Sequence, residues 1–356
     1  MLFFFAKSLP FLLVARAIQA LAAAAALSVS SALIRSTYPA RQLGRGMGIN
    51  SIVVASSGAL APTLGGLVLS VANWPWVFAA AAPLALTSLW LGRYALPESR
   101  RNVEPYDVLA ALLCALTFGL VISGLESAVH GDSPVVSGAI VGAGIIIGWI
   151  FVRRELASEA PILPVDLLAR GVLALSVIGA LAAFVGSMTV VLSLPFRLQA
   201  EFGYSPGEVG ALISPWPLAM MVTAPLAGAL SDRVPAGVLG GIGMTIATIA
   251  LVLIAFLPDA AAHFDIAWRM AMSGVGFGLF LAPNARVIIG AAPMHRAASA
   301  GGLVSTTRLT GQTLGATLMA ALLAFGLGSG RTPALIAAGL ALIAGLCSVA
   351  RLHSRG

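Results

Sequence analysis

The sequence predicts an all-α protein that crosses a lipid bilayer about 11 times. Its 356 residues are 59% hydrophobic and only 9% charged, and its mean hydropathy is +0.99. A soluble domain carries roughly a quarter of its residues as charged side chains, so most of this surface must face lipid. The apolar residues also form long stretches, and a stretch of about 20 residues can cross a bilayer as a helix that satisfies its own backbone.

Turn-forming segments separate the apolar stretches, as at Tyr204-Ser205-Pro206-Gly207. The first stretch is too long for the apolar part of a secretory signal and contains Arg16, so we interpret it as a span. The predicted spans lie near residues 10–34, 47–71, 76–92, 108–125, 135–152, 172–196, 209–230, 238–257, 270–289, 300–327 and 334–350.

Charge and cysteine content argue against other classes of protein. The net charge is +7, but the basic residues occur singly or in pairs, without the basic face of a nucleic-acid-binding protein. Cys114 and Cys347 lie within apolar stretches, which argues against a disulfide framework or a zinc site. The predicted partners are therefore the lipid bilayer and a small-molecule substrate, with no nucleic acid, metal or cofactor.

Basic residues are divided unevenly between alternate loops. The larger set is Arg35, Arg41, Arg45, Arg93, Arg100, Arg101, Arg153, Arg154, Arg170, Arg233, Arg286, Arg296, Arg351 and Arg355. The smaller set is Lys7, Arg197, Arg269 and Arg331. Cytoplasmic loops are the richer in basic residues, so we predict a multi-pass protein of the cytoplasmic membrane with a cytoplasmic C-terminus. An odd number of spans then places Met1 outside, and we expect further spans to precede it in a longer protein.

Two parts of the chain resemble each other. The segment that begins at Ala15 aligns with the one that begins at Trp268, which places Arg16 on Arg269 at an offset of 253. The following positions align at an offset of 254: Pro39 with Pro293, Gly48 with Gly302, Ser57 with Gly311, and Ala61 with Gly315. Parallel repeats of this kind are typical of transporters whose substrate site lies between two related halves.

Three segments carry motifs. The first, LLVARAIQALAA, runs from Leu12 to Ala23; the second, SGALAPTLGG, begins at Ser57; and the third, GALSDRVPAG, begins at Gly228. They resemble the fourth-helix motif, the antiporter motif of the fifth helix and the Asp-Arg loop motif of the major facilitator superfamily. The resemblance is to its fourteen-span drug/proton antiporters of the EmrB/QacA type.

The resemblance covers essentially the whole chain and implies a facilitator-type helical bundle without the first three helices of the family. It implies a partial N-terminal domain of three spans at 1–101, a central two-helix insert at 102–160 and a six-helix C-terminal domain at 161–356. It also implies efflux of small amphipathic compounds by alternating access, with protons as the coupling ion in the intact form.

Arg16 and Gln19 lie three residues apart, on one face of the first span. Ala20 and Ala22 replace two usual glycines of the motif. A charge within a span costs roughly 2.5–3.5 kcal/mol on insertion scales, so Arg16 is expected to face the bundle interior and find a partner. The resemblance implies a role in proton coupling or in the central cavity. The alternative is an arginine that extends to the outer interface.

Three further candidates for the cavity or for coupling are Arg308, Gln312 and Asn284. Arg308 and Gln312 share a face of the tenth predicted span with Ser305. The alternative for Arg308 is that it reaches the cytoplasmic headgroups about 12 Å away. Asn284 lies beside Pro283, where a broken helix would expose backbone groups, and the alternative is a structural kink.

The antiporter segment forms a stripe of small residues at four-residue spacing. Pro62, Gly65 and Gly66 match the motif, while Ser57 and Ala61 replace glycines. Small residues allow helix backbones to touch, and a proline in mid-span bends the helix. The resemblance implies a gating contact that seals a leak path while it permits a rocking motion. Ordinary tight packing is the alternative.

In the loop motif Gly228, Leu230, Asp232 and Arg233 match, but the usual basic run after them is absent. The resemblance implies a charge cluster that stabilises one conformation of the transporter, and a solvated turn is the alternative. No acidic residue lies in the middle of a predicted span, and Glu126 comes nearest. A coupling carboxylate often lies in the family's first helix, so residues 1–356 alone are expected not to couple transport to protons. Proton-dependent efflux from vesicles containing only these residues would contradict that expectation.

Two alternatives to a transporter remain from the sequence. A membrane-embedded enzyme would need clustered acid-base residues, but the histidines lie on different loops. They are His130, His263, His295 and His353. The second alternative is a non-transporting fragment, truncated at its N-terminus, of a drug exporter. The sequence therefore favours a transporter and not an enzyme.

Overall fold

In a computed structural model of the chain, helices are the only regular secondary structure among the residues that it describes. These residues are 8–43, 45–46, 49–50, 53–54, 57, 68, 71–95, 107–129, 133–158, 161–163, 165–258, 261–292 and 296–353. The chain divides into two compact units, one formed by Met1–Ala26 and Ser57–Asp107 and the other by Leu27–Ser56 and Val108–Gly356. We call them unit 1 and unit 2. The prediction of an all-α, multi-pass membrane protein is confirmed.

Unit 1 contains the first part of helix α1 (Leu9–Thr37) and the short helices α2 (Pro75–Ala79) and α3 (Ala81–Ala95). Helix α2 starts with a proline, whose missing N–H costs nothing in the first turn of a helix. The two helices meet at Ala80, so the predicted third span at 76–92 is divided between them and is not one continuous helix.

Unit 2 contains the last part of α1 and all the α-helices that follow α3 in the described residues. They are α4 (Val108–Val129), α5 (Pro134–Leu156), α6 (Gly171–Phe202), α7 (Pro206–Ile213), α8 (Pro215–Leu230), α9 (Ala236–Ala255), α10 (His263–Ala291), α11 (Ala297–Ala324) and α12 (Thr332–His353). Short 3-10 helices lie at Ala40–Gln42 and Val165–Ala169. Helix α9 packs against α10 and α12, α10 packs against α8, and α6 packs against α11 and α12.

Glycines bring the central helices of unit 2 into backbone contact. A Cβ atom placed on Gly243 of α9 would lie 2.6 Å from the carbonyl oxygen of Gly276 on α10. On Gly315 of α11 it would lie 2.6 Å from the carbonyl oxygen of Val185 on α6. Lipid gives helices no hydrophobic drive to associate, so close packing of small residues must supply much of the stability. The core between these helices is completed by larger side chains such as Met244 and Phe280.

Nine helical segments in the described part of the chain are long and apolar enough to cross a membrane. They are Leu9–Leu27, Pro75–Ala95, Val108–Val129, Pro134–Leu156, Gly171–Phe202, Gly207–Leu230, Ala236–Ala255, His263–Ala291 and Thr332–His353. Their outward faces carry exposed apolar side chains, for example Leu226 and Leu346. Such faces are expected of helices in contact with lipid.

Two predicted spans are absent from these nine. Most of the span predicted at 47–71 lies outside the described residues. The span predicted at 300–327 forms a helix, α11, but its glycines, hydroxyl side chains, Arg308 and Gln312 make it less apolar than the others. A helix therefore lies where the sequence predicted a span. Its polar residues are the reason that it is not counted among the helices apolar enough to cross a membrane.

Several predicted span boundaries are also corrected. Helix α6 continues to Phe202 and so includes Arg197, and α10 begins at His263 and so includes Arg269. Both arginines had been assigned to loops. The predicted seventh span begins earlier than expected and is interrupted at Ser214, between α7 and α8.

Candidate functional site

The loop motif after α8 forms an ion pair with α10. Asp232 Oδ1 lies 3.1 Å from Arg286 Nη2, and Arg286 Nη1 donates a hydrogen bond to the carbonyl oxygen of Ser231. Gly228 is buried, and its carbonyl oxygen accepts a 2.7 Å hydrogen bond from the Ser231 hydroxyl. Arg233 is exposed. Asp232 is thus fixed by a residue of another helix, and the sequence had assigned that residue, Arg286, to a loop.

Arg35, in the last turn of α1, docks on the end of the same helix α10. Its guanidinium donates hydrogen bonds to the carbonyl oxygens of Ile289 and Ala292. The last carbonyls of a helix have no partner within the helix and carry the negative end of its dipole, so a cation is favoured there. Leu43 and Ile289 pack together beside this contact.

Arg296 ties the start of α11 to the connection between α5 and α6. Its Nη1 and Nη2 atoms bind the two oxygens of Asp166 at 2.9 Å and 2.7 Å. This paired hydrogen bond to Asp166 raises the pKa of Arg296. Glu155, at the end of α5, is 1% exposed and accepts a 2.7 Å hydrogen bond from the Leu163 backbone N–H. We call Arg35, Arg286 and Arg296, with the partners just described, the arginine junction.

A double-mutant cycle on Arg296 and Asp166 is expected to give a coupling energy of about 1 kcal/mol. Two parallel hydrogen bonds between charged groups strengthen the pair, and solvent around the partly exposed side chains weakens it. The measurement compares thermal unfolding of Arg296→Gln, Asp166→Asn and the double variant in low salt. In 1 M salt the coupling should shrink, since the pair is partly exposed. A coupling of zero at low salt would show that the pair contributes nothing.

A buried polar cluster joins α6, α10 and α12. Arg351 is 5% exposed and donates from Nη1 to Ser176 Oγ at 2.9 Å and to Asn284 Oδ1 at 2.6 Å. Its Nη2 atom donates to Ser348 Oγ at 2.6 Å. Asn284 Nδ2 in turn donates to the carbonyl oxygen of Ser176 at 3.0 Å. We call these four residues the Arg351 cluster.

Sequence reasoning missed the Arg351 cluster. It assigned Arg351 to a cytoplasmic loop, whereas this residue lies in the last turn of α12. Asn284, predicted as a site where a broken helix exposes the backbone, lies within the continuous helix α10, which also contains Pro283. The asparagine beside a proline was the only signal in the sequence, and it gave no indication of its partners.

The predicted pair in the first span forms a local contact. Arg16 Nη1 donates a 2.9 Å hydrogen bond to Gln19 Oε1, and its guanidinium lies 5.3 Å from the centre of the Phe78 ring. The side chain of Arg16 is exposed within the part of the chain that the structure describes. A charged side chain within a span is expected to have a polar partner, and Gln19 is the partner of Arg16. The described residues do not bury the Arg16 side chain.

Helix α11 carries the other predicted pair. Arg308 and Gln312 are half-buried, and neither forms a hydrogen bond with any described residue. The neighbouring face of α11 packs on α6 through Gly311 and Gly315. In the internal repeat these two glycines align with Ser57 and Ala61 of the antiporter segment.

The antiporter segment itself is largely outside the described residues. Ser57 is helical and exposed. Ala61, Pro62, Gly65 and Gly66 are among the residues that the structure does not describe. Among the described residues, no group of three or more His, Cys, Asp or Glu side chains is placed to hold a metal ion.

Comparison with known proteins gives a consistent result along the chain. Residues 1–316 and 175–355 match the sequence model of the Major Facilitator Superfamily. The uncharacterized transporter YebQ of Escherichia coli (strain K12) is 43% identical over 348 residues, which cover 97% of this chain and 76% of YebQ.

Two more distant relatives have names that state a substrate or a resistance. The riboflavin transporter RibZ of Clostridioides difficile (strain 630) is 25% identical over 311 residues, covering 87% of this chain and 67% of RibZ. The multidrug resistance protein Stp of Mycobacterium tuberculosis (strain ATCC 25618 / H37Rv) is 27% identical over 322 residues, covering 90% of this chain and 60% of Stp.

Proposed function

Because the chain belongs to the major facilitator superfamily, we propose that it exports small amphipathic compounds by alternating access, as a drug/proton antiporter of the fourteen-span type. The name of Stp, a multidrug resistance protein, supports a drug-like substrate. Proton coupling is proposed for the intact form, since this chain spans 76% of YebQ and 60% of Stp.

The arginine junction carries this proposal. Alternating access needs contacts at one end of the bundle that hold in one conformation and separate in the other. Arg35 and the carbonyl groups that it binds are about 254 residues apart in the chain, and Arg286 joins α10 to the loop that follows α8. Arg35 binds the end of α10, and Arg286 binds the carboxylate of Asp232 just after α8. Because these partners lie at the ends of helices, the contacts can break without disturbing the apolar core.

The orientation proposed from the basic residues makes the arginine junction the cytoplasmic gate. When the contacts of the arginine junction are formed, the transporter is closed on its cytoplasmic side. The small residues Ser57, Ala61, Pro62, Gly65 and Gly66 are proposed to form the antiporter-type gating contact. Their repeat partners Gly311 and Gly315 support this role, since they bring α11 into backbone contact with α6.

Arg308 and Gln312 are the proposed cavity residues, with Arg16 and Gln19 as the corresponding pair in the first span. The absence of a described partner supports the assignment of Arg308, because a half-buried arginine needs an anion, a water or a ligand to satisfy it. For Asn284, the hydrogen bonds with Arg351 and Ser176 favour a structural role over one in the cavity.

The test is export of a fluorescent lipophilic cation, ethidium, from cells that lack their own major exporters. We expect preloaded cells that produce the chain to lose ethidium into dye-free medium faster than cells with an empty vector, a flux down the concentration gradient that needs no proton coupling. Arg286→Gln should lower the export rate about tenfold, because a lost charge-assisted contact shifts the balance between conformations by that factor. Arg93→Gln, an exposed arginine at the end of α3, is the matched control and should export normally.

The exchange variant Asp232→Arg with Arg286→Asp separates a gating role from a general effect of charge. It should recover part of the export lost in Arg286→Gln, since it restores an ion pair of opposite polarity. If the wild-type chain is inserted in the membrane but leaves ethidium retention unchanged, the proposal fails in favour of the non-transporting fragment. Collapse of the proton gradient by an uncoupler then tests coupling separately.

A further inference from the structure

A cavity of about 340 Å³ lies where α6 ends and α12 begins, and Arg197, Glu201, Phe202 and Arg331 line it. This is the end of α6 remote from Asp166 and the arginine junction. We call it the Arg197 cavity. Its volume is far larger than the roughly 30 Å³ that one water molecule occupies in the liquid, so it can admit a group of several atoms.

Arg197 is the buried member of this cavity, at 4% exposure. Its Nε atom donates a 2.7 Å hydrogen bond to Glu201 Oε2, and its Nη1 atom donates a 2.8 Å hydrogen bond to the carbonyl oxygen of Ile254. A guanidinium has five N–H donors, and the described residues provide no further acceptor for it. Donors of a largely buried arginine therefore remain for whatever fills the cavity.

Arg331 supplies a second guanidinium from the residue just before α12. Its guanidinium carbon lies 5.4 Å from the centre of the Phe256 ring, which holds the side chain without using its N–H donors. The lining thus contains two arginines and one glutamate, for a net charge of +1. Glu201 neutralises Arg197 in part, and the positive charge of Arg331 is left over.

The cavity brings together basic residues that are few at that end of the protein. Only four basic residues were assigned to the arginine-poor side, and two of them, Arg197 and Arg331, meet in one cavity. Exposed apolar side chains lie next to the lining residues in the sequence or in space, namely Phe196 and Phe256. Two guanidinium groups beside an exposed apolar surface match a molecule with an anionic head and a hydrocarbon body.

We propose that the Arg197 cavity binds an anionic phosphate or carboxylate group, with Arg331 and Arg197 donating to its oxygens. Planar guanidinium groups match the spacing of these oxygens, and hydrogen bonds between full charges are about twice as strong as neutral ones. The ligand is either the headgroup of an anionic phospholipid or a free anion. This binding does not depend on transport, so it can be tested without an export assay.

The experiment follows thermal unfolding of the full 356-residue chain in a neutral detergent. The ligands added are short-chain phosphatidylglycerol, phosphatidylcholine with the same acyl chains, and inorganic phosphate. Phosphatidylglycerol should raise the unfolding midpoint and phosphatidylcholine should not. In Arg331→Gln the concentration for half of this effect should rise about tenfold or more, the loss expected for a charge-assisted contact. Arg331→Lys, which keeps the charge but not the planar guanidinium, should fall between Arg331→Gln and the wild type.

Arg170→Gln is the matched control, because it removes an exposed arginine from the opposite end of the same helix, and it should respond like the wild type. Arg197→Lys should weaken the response, and Arg331→Gln remains informative if that buried variant unfolds early. A response to inorganic phosphate with the same dependence on Arg331 would support the site and identify a free anion as its source. An equal response to phosphatidylcholine, or an unchanged response in Arg331→Gln, would overturn the proposal.

Discussion

Replacement of Arg351 by leucine is expected to destabilise the protein by on the order of 3 kcal/mol, because it removes one donor from several buried acceptors at once. Ser176, Asn284 and Ser348 would each lose the hydrogen bond that they accept from the guanidinium. The leucine fills part of the volume but offers no donor. Within the cluster only the hydrogen bond from Asn284 to the carbonyl oxygen of Ser176 would remain, and helix α12 would have no polar contact there with α6 and α10.

The measurement is the unfolding midpoint in detergent, together with the yield of folded protein. Arg351→Lys should fall between leucine and the wild type, because a lysine carries the charge but cannot donate in the fork geometry of a guanidinium. His353→Gln changes an exposed residue in the same last turn and should have no effect. A leucine variant as stable as the wild type would show that the cluster is not a structural element.

Replacement of Gly276 by valine is expected to cost about 3 kcal/mol or more, at the upper end of the range for overpacked sites. A Cβ atom at this position would lie 2.5 Å from the carbonyl oxygen of Gly243 and 2.6 Å from the backbone nitrogen of Ala247. Both are backbone atoms of α9, so no side-chain rearrangement can relieve the clash. The helices α9 and α10 would have to separate.

The control for this prediction is Gly290→Ala in the same helix. A Cβ atom there meets nothing within 4 Å, and alanine is the better helix former by about 1 kcal/mol, so the variant should be neutral or slightly stabilised. Unfolding midpoints of the two variants and the wild type provide the comparison. If Gly276→Val unfolded at the wild-type temperature, the close approach of α9 and α10 would not be a determinant of stability.

Apolar stretches predicted most helices of the protein well, because a span is long and its signal adds over many residues. The spans predicted at 108–125 and 135–152 correspond to Val108–Val129 and Pro134–Leu156. Helix ends were less predictable. Arginines near the ends of apolar stretches were assigned to loops, yet Arg197, Arg269, Arg286 and Arg351 all lie inside helices. A partner on another helix or in a neighbouring loop can satisfy such a charge, and hydropathy carries no information about that partner.

The candidate site was predictable only in part for the same reason. The loop motif identified Asp232, whereas nothing in the sequence pointed to Arg286 as its partner, 54 positions away in the chain. Glu155 and Asp166 were missed because they lie just outside predicted spans, where charged residues are common and carry little information. Contacts between distant segments depend on the packing of the whole bundle, which local patterns do not encode.

The hydrogen bonds of Arg35 have a practical consequence for mutagenesis. Their acceptors are main-chain oxygens of Ile289 and Ala292, and these oxygens are present whatever side chains those positions carry. An alanine scan of the end of α10 would therefore leave these hydrogen bonds in place, and a loss of stability in Ile289→Ala would report the packing of that buried side chain and not the contact with Arg35. Only exchange of the arginine itself, or a proline that reshapes the α10 terminus, would reveal it.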